Sequence, residues 1–170
     1  MRTLLLADDS VTTQRVVALT FAEESFREFI RQQQYETRLK SLWQKRELLQ
    51  NFPYLRALQQ PVLRELAIQV SLETLPAATG PRPVQHFCDA GSLMLPLGEG
   101  LELSRAGKLE TIEPNAAPVL CAPDLTLLTE TEFQYLLLPA ANAEQLRQRI
   151  PAFRFFWEET LGLPLPAKLP

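Results

Sequence analysis

Residues 101–112 read LELSRAGKLETI. Leu101, Leu103, Leu109 and Ile112 mark two short, mostly alternating runs around Arg105-Ala106-Gly107-Lys108. Alternation at period two belongs to a strand with one buried face. A glycine between two such runs supplies the positive φ of a tight turn. The stretch therefore predicts a β-hairpin. This reading decides the fold class, because a helix over 99–111 would follow directly on Gly98 and have to absorb Gly100 and Gly107, each costly inside a helix.

The same texture extends around the hairpin. Between Ser71 and Ala122 lie five of the six glycines and many of the prolines, and no helical period survives. Leu125-Thr126-Leu127-Leu128 reads as a further strand. Upstream, residues 25–51 contain no Gly or Pro, and Phe26, Phe29, Ile30, Leu39, Leu42 and Trp43 recur at three- and four-residue steps. That spacing predicts an amphipathic helix, ended or bent by Pro53. A second helix follows Pro61, with Leu63, Leu66, Ala67 and Val70 on one face.

At the N-terminus, TLLLA (3–7) reads as a buried strand that stops at Asp8-Asp9-Ser10. Ser10 is placed to cap a helix over VTTQRVVALTFAEE, with Val16, Val17, Leu19 and Phe21 as its core face. Downstream, residues 130–150 return to a helical pattern interrupted near Pro139, with Asn142 as N-cap of AEQLRQRI. Residues 151–161 hold four aromatics, Phe153, Phe155, Phe156 and Trp157, and GLPLPAKLP reads as an extended tail. Helices, then short strands with tight turns, then helices define an α+β chain: a small antiparallel β-roll flanked by N-terminal and C-terminal helices. The expected divisions are a strand and helical extension at 1–51, the roll with its C-terminal helices at 52–161, and the tail at 162–170.

Composition removes several functional classes. Of 170 residues, 46% are apolar and 22% charged, which suffices for a core, and the net charge of -3 gives no bulk attraction to nucleic acid. The one basic stretch, 25–51, reads as a solvated helix face. The apolar run at the start is too short for a signal peptide or a membrane span. Cys88 and Cys121 lie far apart in apolar contexts and read as two buried free thiols, which points to a reducing, cytoplasmic location. His86, Cys88 and Asp89 lack the spaced ligand pairs of a zinc site, and no nucleophile–base pair or Gly-rich phosphate loop stands out. No enzyme activity and no cofactor are expected.

Two family resemblances cover different residues. TLLLADDSVTTQRVVALTFAEE (3–24) resembles the start of a response-regulator receiver domain, in which Asp8 and Asp9 would hold a divalent cation. Outlines of the same family extend over 93–105 and 135–146. The position matching its phospho-acceptor aspartate is Ser92, and the position matching its lysine before proline is Leu138. The alternative fold is thus an α/β pseudo-receiver with a helical insertion. Residues 48–150 resemble cyclic-nucleotide-binding domains. LLQNFPYLRALQQPVLRELA matches the opening helices, LETLPAAT the first strand and turn, SLMLPLGEGLELSRAGKLETIEPNA the central hairpin, and APDLTLLTETEFQYLL the last strand and the helix after it. The resemblance implies a phosphate cassette after Asn115: a Gly-Glu pair, a short helix and Pro-Arg-Ser/Thr-Ala, aiming helix amides and one arginine at a cyclic phosphate. Here the chain runs directly from Pro114-Asn115-Ala116-Ala117 into Pro118-Val119-Leu120. A shifted register would use Gly98, Glu99 and Arg105 as ligand contacts.

The hairpin favours the cyclic-nucleotide-binding-like reading. Its function is expected to be that of an interaction or regulatory module that has lost its phosphate cassette. Alternatives are a nucleotide or small-molecule sensor with a non-standard pocket, and a pseudo-receiver. The expected partner is another protein, and residues 25–51 offer one surface for a homodimer; nucleic acid and membrane are not expected partners. The aromatics have two readings: they pack back onto 25–51 around Trp43, or some join Trp43 in an interface.

Overall fold

The computed structural model describes residues 2–7, 16–21, 23–32, 35–160 and 162. It divides into two compact units, Met1–Ser41 and Leu42–Pro170. In the first, Arg2–Ala7 (β1) pairs antiparallel with Val16–Phe21 (β2), from Arg2↔Phe21 to Ala7↔Val16. The expected strand at 3–7 is present, but the helix expected over 11–24 is replaced by β2. Val16, Val17 and Thr20 are β-branched, and pairing with an apolar neighbour outweighs a helix-like spacing. Two helices follow, Glu23–Gln32 (α1) and Tyr35–Gln50 (α2). Asp8, Asp9 and Ser10 lie outside the described residues.

The second unit begins within α2, upstream of the 51/52 division read from the sequence. Leu49 is fully buried there beside Phe52 and Leu55, so the last turns of α2 supply core residues. A 3₁₀ turn at Pro53–Leu55 leads into Gln60–Gln69 (α3), which has Pro61 in its first turn and buries Leu63, Leu66 and Ala67 as its spacing predicts. Lys45 Nζ donates to the Val70 carbonyl at 2.8 Å, and Asn142 Nδ2 to the Gln69 carbonyl at 3.0 Å. Two acceptors at the end of α3 are thereby satisfied.

Eight strands follow: Ser71–Leu75 (β3), Arg82–Pro83 (β4), Leu93–Pro96 (β5), Leu101–Arg105 (β6), Lys108–Ile112 (β7), Val119–Leu120 (β8), Leu125–Thr129 (β9) and Phe133–Leu138 (β10). They form two four-stranded antiparallel sheets, in the orders β3-β10-β5-β8 and β4-β9-β6-β7. This is a double-sheet jelly roll, the β-roll predicted from the sequence.

Burial explains why some strands were legible and others were not. β6 and β9 alternate: Leu101, Leu103, Leu125 and Leu127 point into the roll, and their neighbours point out. β5 is buried at every position, because Met94 faces the roll while Leu93 and Leu95 face the helices. β10 is shared in the same way: Phe133 and Tyr135 line the roll, and Leu136 and Leu138 pack under the helices. A strand covered on both faces loses its alternation. The helical pattern expected over 130–138 is therefore corrected to strand, and the helix is confined to Ala140–Arg149 (α4). Its N-cap is Pro139, and Asn142 sits in the first turn. Pro151–Phe155 (α5) and a π-helical turn at Phe156–Thr160 complete the helical layer.

Cys88 and Cys121 are joined in a disulfide, with Cα atoms 6.7 Å apart, which corrects the reading of two free thiols. Their separation of 33 residues hides a close approach. β5 pairs with β8 through Leu93↔Leu120 and Met94↔Val119, so the residues flanking those strands meet. The inference of a reducing compartment from free thiols falls with it. Among the described residues, no helix is long and apolar enough to cross a membrane.

Candidate functional site

The roll's connections determine what it can hold. β7 passes to β8 through residues 113–118, and β8 to β9 through 121–124, with no helical residue in either link. The second link is a tight turn, in which the Leu125 N–H donates to the Ala122 carbonyl at 3.1 Å. It is tied to the segment before β5 by the disulfide, by Gly91 N–H to the Cys121 carbonyl at 2.9 Å, and by Cys121 N–H to the Ser92 carbonyl at 2.9 Å. No lysine or arginine occurs between Lys108 and Arg147, whereas Glu110, Glu113, Asp124, Glu130, Glu132 and Glu144 do. The two links thus have neither a helix N-terminus nor a cation of their own to set against a phosphate.

The ligand candidates do not converge. Gly98 lies before β6, where an added Cβ would approach the Phe133 ring at 3.6 Å, and Glu99 beside it is exposed. Arg105 ends β6, so five residues, roughly 17 Å of extended chain, separate it from the Gly-Glu pair. Its guanidinium lies 3.7 Å from the Asp124 carboxylate, and both side chains are more than half exposed. Such a pair adds little stability, but it occupies the arginine.

Ser92 is 1% exposed, and its Oγ accepts the Ala140 N–H at 3.1 Å. It thereby satisfies a first-turn donor of α4 from across the chain. Leu138 is buried at the end of β10. Both positions are buried, residues 101–112 form the β6–β7 hairpin, and the sheets of the second unit are antiparallel. The receiver resemblance and its α/β alternative are unsupported.

The interface candidates divide. Phe153, Phe156 and Trp157 are 1–4% exposed and pack among Phe52, Leu55 and Tyr54, with Tyr54 stacked on Phe156 at 6.2 Å. They belong to the chain's own core, in line with the reading that they pack back onto the chain and not with the reading of Phe153, Phe156 and Trp157 as partner contacts. Trp43 does not join them. It is 61% exposed, with the Arg46 guanidinium 5.9 Å from its ring, and Phe155 is 65% exposed.

One concavity had no signal in the sequence. The loop 76–81 folds over the outer face of β9 to form an open groove of about 780 Å³, lined by residues 77–82 with Leu128 and Glu130. The loop is held by the Ala78 N–H on the Thr129 carbonyl at 2.9 Å and by Arg82, which donates to the Pro76 carbonyl and lies 4.7 Å over the Phe87 ring. Alanines, a glycine and a proline build it, and those residue types read only as a turn.

The roll topology, with helices laid on one sheet, defines the class of fold. The solved structures that share it place it further. The "Putative Cyclic nucleotide-binding protein" of Geobacter metallireducens GS-15 is 15% identical with a TM-score of 0.55, over 68% of this chain and 91% of that one. The cAMP-bound PfPKA-R fragment is 13% identical with a TM-score of 0.55, over 91% of this chain and 61% of that one. The C-linker/CNBHD of zELK channels, crystallized in the presence of cAMP, is 12% identical with a TM-score of 0.50, over 71% of this chain and 66% of that one. The chain therefore contains a cyclic-nucleotide-binding-like fold. No family model and no curated protein matches the sequence.

Proposed function

We infer that this chain is a non-enzymatic regulatory module that acts through contact with another protein and has lost the ability to bind cyclic nucleotides. The observation that carries the reading is the six-residue β7–β8 link, residues 113–118, which has no helical residue where the resemblance puts the phosphate cassette, in a roll whose fold is that of cyclic-nucleotide-binding domains. The acidic character of 109–146 supports it, since a cyclic phosphate entering there would meet carboxylates, and the neighbouring Arg105 is already paired with Asp124. Isothermal titration of the oxidised protein with cAMP, cGMP and cyclic dinucleotides tests it. No binding heat and no change in thermal midpoint at millimolar ligand are expected. A micromolar dissociation constant for any of them overturns the reading.

The groove beneath loop 76–81 favours a second reading, a small-molecule sensor with a non-standard pocket. A Cβ at Gly80 meets nothing within 4 Å, so Gly80→Trp can fill the groove without disturbing the backbone. A metabolite that stabilises the native chain but not this variant would establish the sensor.

A further inference from the structure

β7 is the outer strand of its sheet. It pairs with β6 from Arg105↔Lys108 to Leu101↔Ile112, and residues 107–112 make no backbone hydrogen bond outside that ladder among the described residues. Ala106 and Gly107 form a two-residue turn, so Arg105 and Lys108 exchange the closing bonds. The alternation that follows turns the N–H and C=O of Leu109 and Thr111 away from β6. Lys108, Leu109, Glu110 and Thr111 are exposed, and Leu109 is 58% exposed.

Charges on an edge strand ordinarily oppose pairing with another chain. The sequence KLETI removes that opposition in one antiparallel self-pairing. The ladder pattern allows a second β7 to centre on Leu109, on Glu110, on Thr111 or on Lys108. Centring on Glu110 sets Glu110 against its own copy, and centring on Lys108 does the same for the lysine. Centring on Thr111 places Glu110 opposite Ile112 and makes no ion pair. Only centring on Leu109 sets Lys108 opposite Glu110 of the partner, twice by symmetry. That register also matches Leu109 with Leu109 through their outward N–H and C=O groups. A Cβ at Gly107 meets nothing within 4 Å, so the turn leaves room for the incoming strand.

We propose that two copies of this chain associate through an antiparallel β7–β7 contact centred on Leu109, which joins their outer sheets into one eight-stranded sheet. The contact is isologous and small, so the dimer is weak and depends on concentration and salt. The proposal stands independently of the functional reading above.

Sedimentation velocity of the full chain from micromolar to millimolar concentration, at low salt, tests it. The native chain dimerises. Lys108→Glu and Glu110→Lys each turn two attractive pairs into two repulsive ones and raise the dissociation constant about tenfold. The double swap Lys108→Glu/Glu110→Lys restores the native value. Leu109→Pro, which removes an N–H facing away from β6, abolishes the dimer while the thermal melt stays cooperative. A chain that stays monomeric to millimolar concentration overturns the proposal. So does a dimer indifferent to the single reversals, or a double swap that does not restore association.

Discussion

At the scale of single residues, the hairpin turn and one buried phenol lead to measurable consequences. Gly107 takes φ +79°, as expected, but Ala106 also sits at φ +51°, where an L-alanine is strained. A turn with positive φ at both central positions favours Asn-Gly. Ala106→Asn is therefore expected to stabilise the chain by about 0.5–1 kcal/mol, read as a higher thermal midpoint. Tyr135 lies inside the roll opposite Glu73 of β3. Burial first, and the Glu73 charge second, push its phenol up to about 12. The folded state thus favours the neutral phenol more than the unfolded chain does, whose phenol ionises near pH ~10. This stability is fully present below about pH 10 and is lost as pH rises towards 12. Phenolate absorbance should follow that order, and Glu73→Gln should bring the titration only part-way down, because burial remains.

At the scale of elements, the disulfide fastens the β8–β9 turn to the entry of β5. Closing a loop across 33 residues restricts the unfolded chain by about 3–4 kcal/mol in the entropic account. Reductant is expected to lower the thermal midpoint of the native chain and to leave a Cys88→Ala/Cys121→Ala variant unmoved. The same elements show where sequence patterns are reliable. β6 and β9 alternate because one face of their sheet is open, so the hairpin and the strand at 125–128 were legible. β5 and β10 lie between the roll interior and the helices, and β10 imitates a helix in its apolar spacing. β2 was misread for a related reason: Val16, Val17, Leu19 and Phe21 satisfy a helical face, yet a paired neighbour decides between the two.

At the scale of the molecule, both hydrophobic clusters of the second unit are drawn, among the described residues, from Leu42 onwards. Residues 42–170 are therefore expected to unfold cooperatively without 1–41, in a single calorimetric transition; a broad, non-cooperative melt would show that the core depends on the first unit. Joining β3 to β10 and β5 to β8 brings residues far apart in sequence into contact, and this produces the disulfide, the Ser92–Ala140 bond and the burial of Phe153, Phe156 and Trp157. The disulfide and the Ser92–Ala140 bond were not visible in the chain itself, and the aromatics were left between two readings. Arg105 reads as a ligand contact in isolation, but in space its guanidinium lies 3.7 Å from the Asp124 carboxylate.

The amino-acid sequence alone determined that the middle of the chain forms alternating strands around a tight glycine turn and that α-helices flank it. These are local properties, encoded in the period of apolar residues and in turn chemistry. Tertiary structure decided which ambiguous apolar runs became strands, which cysteines met, and which aromatics were buried. An apolar run with no alternation is equally suited to a helix or a doubly covered strand, and only the layers packed against it choose between them.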